Sequence, residues 1–356
     1  MATLDFVQTN FTRGELSPRL RGRIDFQGFF NGVEELKNFV VLPLGGIMKR
    51  PGTRFVAEVD DSSNFSRLIP FEFNVDESYA LEFADQKVRF FASGGIISSN
   101  SVSTSVSNGD FSGGATDWTD ASNGTGGLTF STFDGEDGVS LDADGSGNEA
   151  ILRQSITVAG ADQNTVHSLR LSLKDTNGTK SITCRVRVGT TAGGNDLFER
   201  VMNIGEHVID VDPDGNGTLH LDIVGEYDDG VTGAVVVTNV AFLQGTPLEL
   251  TTPYTSSDTN FLNWTQSADV LFLTNPKFMP RELRRFGSAE FSLVPYDFRD
   301  GPYLGVNDTD TTLNPSGITG RVEVTASSTD GINNGDGFTA ADKGHMVRLQ
   351  TTESAS

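Results

Sequence analysis

The chain has 356 residues, 36% of them hydrophobic, enough to fill the cores of two to three domains. Its 26 Lys and Arg against 48 Asp and Glu give a net charge of −22, which excludes a surface built mainly to grip nucleic-acid phosphates or an anionic membrane. Forty Gly, and 25 Phe against 5 Tyr and 2 Trp, point to tight turns and apolar strands, so the expected fold class is all-β and mainly antiparallel.

In the opening segment, Phe11 to Arg23 carries Arg13, Arg19, Arg21 and Arg23 among Pro and Gly and reads as an arm. Phe26, Phe29, Phe30, Val33 and Leu36 then fall on one helical stripe, with Asp25 placed to cap it and Lys37 near its end, so the spacing predicts one short helix over 25–37. From Val40 the period becomes two. Strands are expected at Thr53 to Val59, Ser66 to Phe73, Ser78 to Phe83 and Lys87 to Phe91, an antiparallel meander of the size of a propeller blade. A second meander is expected over 260–298.

Between them the composition shifts. Residues 1–54 carry eight Lys/Arg against five Asp/Glu, for +3, whereas 108–245 carry seven against twenty-one, for −14. A Ser-rich lead-in, Ser98 to Gly109, opens this acidic stretch, and strands are expected at 149–158, 167–173, 181–188, 206–211, 218–224 and 234–243. This spacing predicts an inserted jelly-roll β-sandwich. The domain reading is 1–38 arm and helix, 39–100 first part of a propeller-like domain, 101–246 inserted sandwich, 247–317 second part, and 318–356 a β-rich piece.

Chemistry is sparse. Cys184, the single cysteine, sits in an alternating run that places it in a buried strand position, and alone it makes neither an intramolecular disulfide nor a cysteine metal cluster. His167, His207, His220 and His345 are scattered, and no catalytic or nucleotide-binding motif is found, so no enzyme and no cofactor is expected. Asp210, Asp212 and Asp214 of Asp210-Val-Asp-Pro-Asp-Gly215 match half of a Ca²⁺ loop, but Leu221 stands where a bidentate Glu belongs, which favours a plain turn. Asp142 to Gly147 is a similar half-match. Trp118 is the candidate sugar-stacking platform, although its Phe-rich surroundings favour core packing. The four arginines of the arm are candidates for partner docking. No apolar stretch is long enough to span a membrane and no export leader opens the chain.

Glu15-Leu-Ser-Pro-Arg19, Asn38 to Gly46, Lys49-Arg-Pro-Gly-Thr-Arg-Phe55, Arg67-Leu-Ile-Pro-Phe71 and Tyr79-Ala-Leu-Glu-Phe83, in that order, resemble the amino-terminal region of the tail nozzle (tail tubular protein B) family of short-tailed bacteriophages. Asp269 to Pro276 with Pro280-Arg-Glu-Leu283 resembles the following stretch, and Phe338 to Leu349 a later β-rich piece. The resemblance implies a propeller-containing virion subunit, made in the host cytoplasm. It would assemble as a ring, hexameric in that family, below a tail adaptor protein, with fibres or spikes as further neighbours. Its lumen would pass DNA without binding it specifically. Residues 108–245 depart from that pattern and resemble a carbohydrate-binding module, which gives the alternative of a carbohydrate-binding tail adhesin; a tail glycosidase is a third reading with less support.

Overall fold

The architecture is set by where period-two alternation lets one strand serve two cores. The computed structural model describes residues 8–74, 76–143, 148–175, 183–225, 234–298, 305–317, 323–339, 342 and 347–349. Contacts divide the chain into two units, Met1–Val56 and Ala57–Ser356.

In the first unit, β1 (Gly14–Glu15) pairs in parallel with β2 (Gly32–Val33), and β3 (Phe39–Val41) forms a hairpin with β4 (Ile47–Lys49). The helix expected over 25–37 is not formed. Phe29–Asn31 makes one 3-10 turn that runs straight into β2. Gly28 and Gly32 bracket that turn, and each costs a helix about 1 kcal/mol relative to Ala. Asp25 does not cap; it accepts from Nε and Nη2 of Arg23 at 2.7 and 2.6 Å. Gly32 is extended because Leu16 packs on it: a Cβ there would lie 2.5 Å from Leu16 Cγ.

The second unit begins with β5 (Arg67–Glu72), β6 (Ser78–Ala84), β7 (Lys87–Ala92), β8 (Gly95–Ile96) and β9 (Thr119–Asp120). There follow β10 (Gly127–Phe133), β11 (Glu136–Asp142), β12 (Ala150–Thr157), β13 (His167–Asp175), β14 (Thr183–Gly189) and β15 (Phe198–Asn203). The remainder comprises β16 (Gly205–Val211), β17 (Thr218–Gly225), β18 (Ala234–Phe242), β19 (Glu249–Thr251), β20 (Asn263–Ser267), β21 (Val270–Asn275), β22 (Phe278–Arg285) and β23 (Phe291–Pro295), before a small hairpin of β24 (Leu313–Pro315) and β25 (Val324–Ala326). All pairings in this unit are antiparallel among the described residues. No strand forms at 53–59.

Three sheets carry the unit. A five-stranded sheet runs β15-β14-β17-β12-β9, and a nine-stranded sheet runs β10-β11-β18-β13-β16-β23-β22-β21-β20. The third runs β19-β7-β6-β5 with β8 beside β7. Leu152, Val186, Leu221 and Ile223 of the first sheet meet Val139, Leu141, Leu169, Leu171 and Val237 of the second in one apolar core, which is the β-sandwich. A second core joins Ile69, Phe71, Leu81, Phe83, Val88 and Phe90 of the third sheet to Leu271, Leu273, Leu283, Phe291 and Leu293. Ile209 and Val211 of β16 enter the first core and Val208 enters the second.

Both meanders are present, but they are not propeller blades. The second is absorbed into the sandwich sheet, because β23 pairs with β16 through Glu206↔Leu293, His207↔Ser292 and Val208↔Phe291. No ring of blades exists among the described residues. Gly205 permits the join: its φ is +142°, and a Cβ would lie 2.4 Å from the Leu293 carbonyl oxygen.

His207 locks the same pairing from inside. Asn203 O can only accept, so Nε2–H donates to it at 2.8 Å and Nδ1 accepts from Ser292 Oγ at 2.7 Å, the pattern of a neutral ring. Burial pushes this imidazole down to about 4. An unfolded histidine titrates near 6.5, so between pH 6.5 and 4 the unfolded chain binds more protons and stability falls as pH falls. The expected loss is on the order of 3 kcal/mol, complete below pH 4. Denaturation midpoints at pH 7 and pH 4 check it: His207→Gln removes that share of the acid sensitivity.

Candidate functional site

The outer face of the five-stranded sheet carries a row of alternating charge. Leu152, Gln154, Val186, Leu221 and Ile223 are buried, so the period of two turns Arg153, Arg187 and Asp222 to the opposite face. Register sets them side by side across the strands: Thr119↔Arg153, Arg153↔Asp222, Asp222↔Arg187 and Arg187↔Glu199. Arg153 grips Asp222 in bidentate fashion, Nε to Oδ1 at 2.6 Å and Nη2 to Oδ2 at 2.7 Å. Arg187 Nη2 stands 3.7 Å from the same carboxylate. The Asp222 side chain is only 1% exposed, beside arginine side chains that are 23% and 17% exposed.

Neighbouring rows extend the face. Ser155 Oγ and His220 Nδ1 are 2.9 Å apart, and Arg185 Nη1 lies 3.6 Å from Glu199 Oε1. Glu199 also accepts from Asn195 Nδ2. The loop after β14 walls one side: Thr190 donates through N–H and Oγ to Asp196, holding that carboxyl below its ordinary value, and Gly193 approaches Arg153 so closely that a Cβ would lie 3.3 Å from Nη2. The hydrogen bond to Asp222 holds the Arg153 guanidinium above its ordinary value. Arg187 Nε is buried with no hydrogen-bond partner among the described residues. Such a face donates: guanidinium forks match carboxylates, sulfates or paired hydroxyls.

Trp118 does not belong to this face and offers no sugar platform. It is 7% exposed, stacked on Phe111 at 5.4 Å, and its Nε1 donates to Asn108 O at 2.9 Å. The Ca²⁺ candidates also separate. Asp210 accepts from Ser168 Oγ at 2.9 Å, and burial raises its carboxyl, while Asp212 accepts the Asp214 N–H at 3.0 Å in a turn where Asp214 and Gly215 have positive φ. Among the described residues no group of three His, Cys, Asp or Glu is placed to hold a metal. The half-match at 142–147 lies partly outside the described residues.

In the first unit the arginines disperse. Arg21 pairs with Glu34 at 3.1 Å, Arg23 with Asp25, Arg13 lies 5.9 Å from the Phe26 ring centre, and Arg19 has no ion pair among the described residues. More prominent there is apolar surface: Leu44 is 99% exposed, Phe55 81%, Ile24 69% and Phe30 56%. Cys184 is buried in the sandwich core. Among the described residues no helix is long and apolar enough to cross a membrane.

No protein family matches the chain by sequence, and no curated protein does. Among solved structures it is similar to the enzymatically active domain of bacteriophage CBA120 tailspike protein 4, 17% identical over 39% of this chain and 21% of that one, with a TM-score of 0.30. The chain thus spans about a fifth of that tailspike chain. It is also similar to a mannan-recognising carbohydrate-binding module, 13% identical over 41% of this chain and 98% of that one, TM-score 0.28. A third similarity is to a carbohydrate-binding module of promiscuous specificity from the β-sandwich superfamily, 12% identical over 51% and 87%, TM-score 0.27.

Because Trp118 is a core residue, Trp118→Ala is expected to cost about 3–5 kcal/mol of stability. Equilibrium denaturation reads this directly; a loss below 1 kcal/mol would return the ring to the surface.

Proposed function

We propose that the chain is a non-catalytic, carbohydrate-binding component of a phage tail that grips glycan through the outer face of its five-stranded sheet. The observation that carries this reading is the row Arg153, Asp222, Arg187, Glu199: polar forks held in fixed register on a sheet face. Sugars are recognised by such planar donors and acceptors, with buried partners holding their geometry. The non-catalytic part rests on the Ser155–His220 pair. Its serine contacts Nδ1, and no carboxylate among the described residues accepts from Nε2, so the imidazole lacks the third group that orients a base. Neither cofactor nor calcium has a role in this reading.

Placement in a tail rests on the order of motifs over 15–83 and on the exposed apolar side chains of the first unit, which suit a surface covered by other subunits. The same two observations favour a second reading, a nozzle subunit forming a ring below the adaptor and lining the DNA channel.

Retention of the full chain on immobilised bacterial surface polysaccharides tests the proposal. We expect retention that Arg153→Ala with Arg187→Ala weakens at least tenfold. A chain that is retained by none of them but has the solution mass of a closed ring would overturn it in favour of the nozzle.

A further inference from the structure

We infer that the free edge of β10 is a two-fold interface at which a second copy of this chain adds its own β10, antiparallel, to the nine-stranded sheet. The interface does not depend on the carbohydrate reading, and either can fail alone.

Among the described residues β10 differs from every other edge strand of the three large sheets. Those sheets end at β15 and β9, at β10 and β20, and at β19 and β5. β9 and β19 have only two and three residues. β15 carries Glu199 and Arg200, and β5 carries an exposed Pro70, which has no N–H to offer. β5 and β20 also guard one another. Gln266 Nε2 donates to Glu72 O at 2.7 Å while its Oε1 accepts the Glu72 N–H at 3.1 Å, and Arg67 donates to the carbonyls of Thr259, Asn260 and Leu262 at 3.1, 2.9 and 2.7 Å.

β10 has none of these guards. It is seven residues long, and from Ala121 to Phe133 the chain has no Lys, Arg, Asp, Glu or Pro, although 21% of its residues are charged. Thr129, Phe130, Thr132 and Phe133 give it high strand propensity. A long uncharged edge is a template for another strand.

Turn geometry fixes which backbone groups are offered. β10 joins β11 through the two residues Asp134-Gly135, both with positive φ, +50° and +87°, so Phe133 and Glu136 form a hydrogen-bonded pair. Alternation then spends the backbone groups of Gly127, Thr129, Ser131 and Phe133 on β11 and aims the N–H and C=O of Leu128, Phe130 and Thr132 outward. Among the described residues nothing hydrogen-bonds to these outward groups.

The strand is complementary to itself. With Phe130 opposite Phe130 of the second copy, Leu128 falls opposite Thr132 and every outward group of both strands is paired; with Leu128 or Thr132 opposite Phe130, some are left over. On one face the half-buried Phe130 rings, each 6.4 Å from Phe111, meet across the axis, and on the other the exposed Thr129 faces the exposed Ser131. The acidic turn Asp134 to Asp137 of each copy lies beside Asn123 to Gly126 of the other, so no like charges on these segments stand opposite. A strand of another protein would find no charge here to recognise it by, whereas this chain supplies an edge of matching length and pattern. Each copy has one such edge and pairing uses both, so assembly closes at two.

Sedimentation equilibrium of the full chain from about 1 to 100 μM tests this. The expected result is a reversible equilibrium between 38.2 kDa and twice that mass. It should tighten as salt rises from 50 to 300 mM, because screening relieves the repulsion between two chains of −22. Thr129→Lys with Ser131→Lys sets lysine against lysine across the axis and should weaken the dimer at least tenfold, whereas Thr129→Lys with Ser131→Glu sets opposite charges there and should restore it. Both positions are exposed, so equal thermal midpoints at 1 μM separate association from folding. A chain that stays monomeric at 100 μM would overturn the inference and leave the edge to a strand of another protein. An assembly larger than two, or a dimer that the paired lysines leave intact, would also overturn it.

Discussion

Strand β16 must satisfy two cores at once, and the rest of the second unit depends on that constraint. Its side chains alternate, so Ile209 and Val211 fill the sandwich while Val208 fills the core beneath the 67–92 meander. Each such fully buried side chain contributes roughly 1.5–3 kcal/mol. A one-residue slip would exchange the faces and place Glu206 and Asp210 inside the sandwich. Gly205, His207 and Ser292 hold the register: the glycine admits the neighbouring backbone, and the neutral imidazole accepts from Ser292 Oγ across to β23 while its other nitrogen donates to Asn203 O at the end of β15. Glu206 and Asp210, on the second face, accept from Ser172 and Ser168, and burial raises both carboxyls.

With β16 anchored in both cores, the sandwich presents a five-stranded sheet whose backbone is fixed by buried neighbours. Arg153 is flanked by Leu152 and Gln154, Asp222 by Leu221 and Ile223, and Arg187 by Val186 and Val188, all buried. Each charged side chain therefore projects from a backbone position that packing has already fixed. The net charge of −22 does not show this, since register alone brings Arg153 and Arg187 beside Asp222.

Much of the strand pattern was legible. The alternation in 67–72, 78–83, 150–157, 167–173, 183–189 and 218–224 gives strands where the structure has them, and the run around Cys184 places that residue in the core. The hairpin of β10 and β11 was not anticipated, because Gly138 and the polar residues around Asp134-Gly135 dilute its alternation. The stripe from Phe26 to Leu36 misled, since helical spacing with glycines at 28 and 32 is equally met by a turn and a short strand. The pairing of β16 with β23 joins residues more than eighty apart and leaves no local mark. The site was hidden for the same reason: Arg153, Arg187 and Asp222 lie on three strands, and only their register makes them neighbours. The residues that carry local motifs lie elsewhere: Trp118 is in the core and Asp212 in a turn.

The proposed function places the ligand on the outer face of the five-stranded sheet and nowhere else in the sandwich. Hydrogen–deuterium exchange of the full chain, with and without a saturating bacterial surface polysaccharide that retains it, is the decisive measurement. Added protection is expected to be confined to 150–157, 183–200 and 218–225. Protection centred on the nine-stranded sheet, or on residues 8–56, would contradict it.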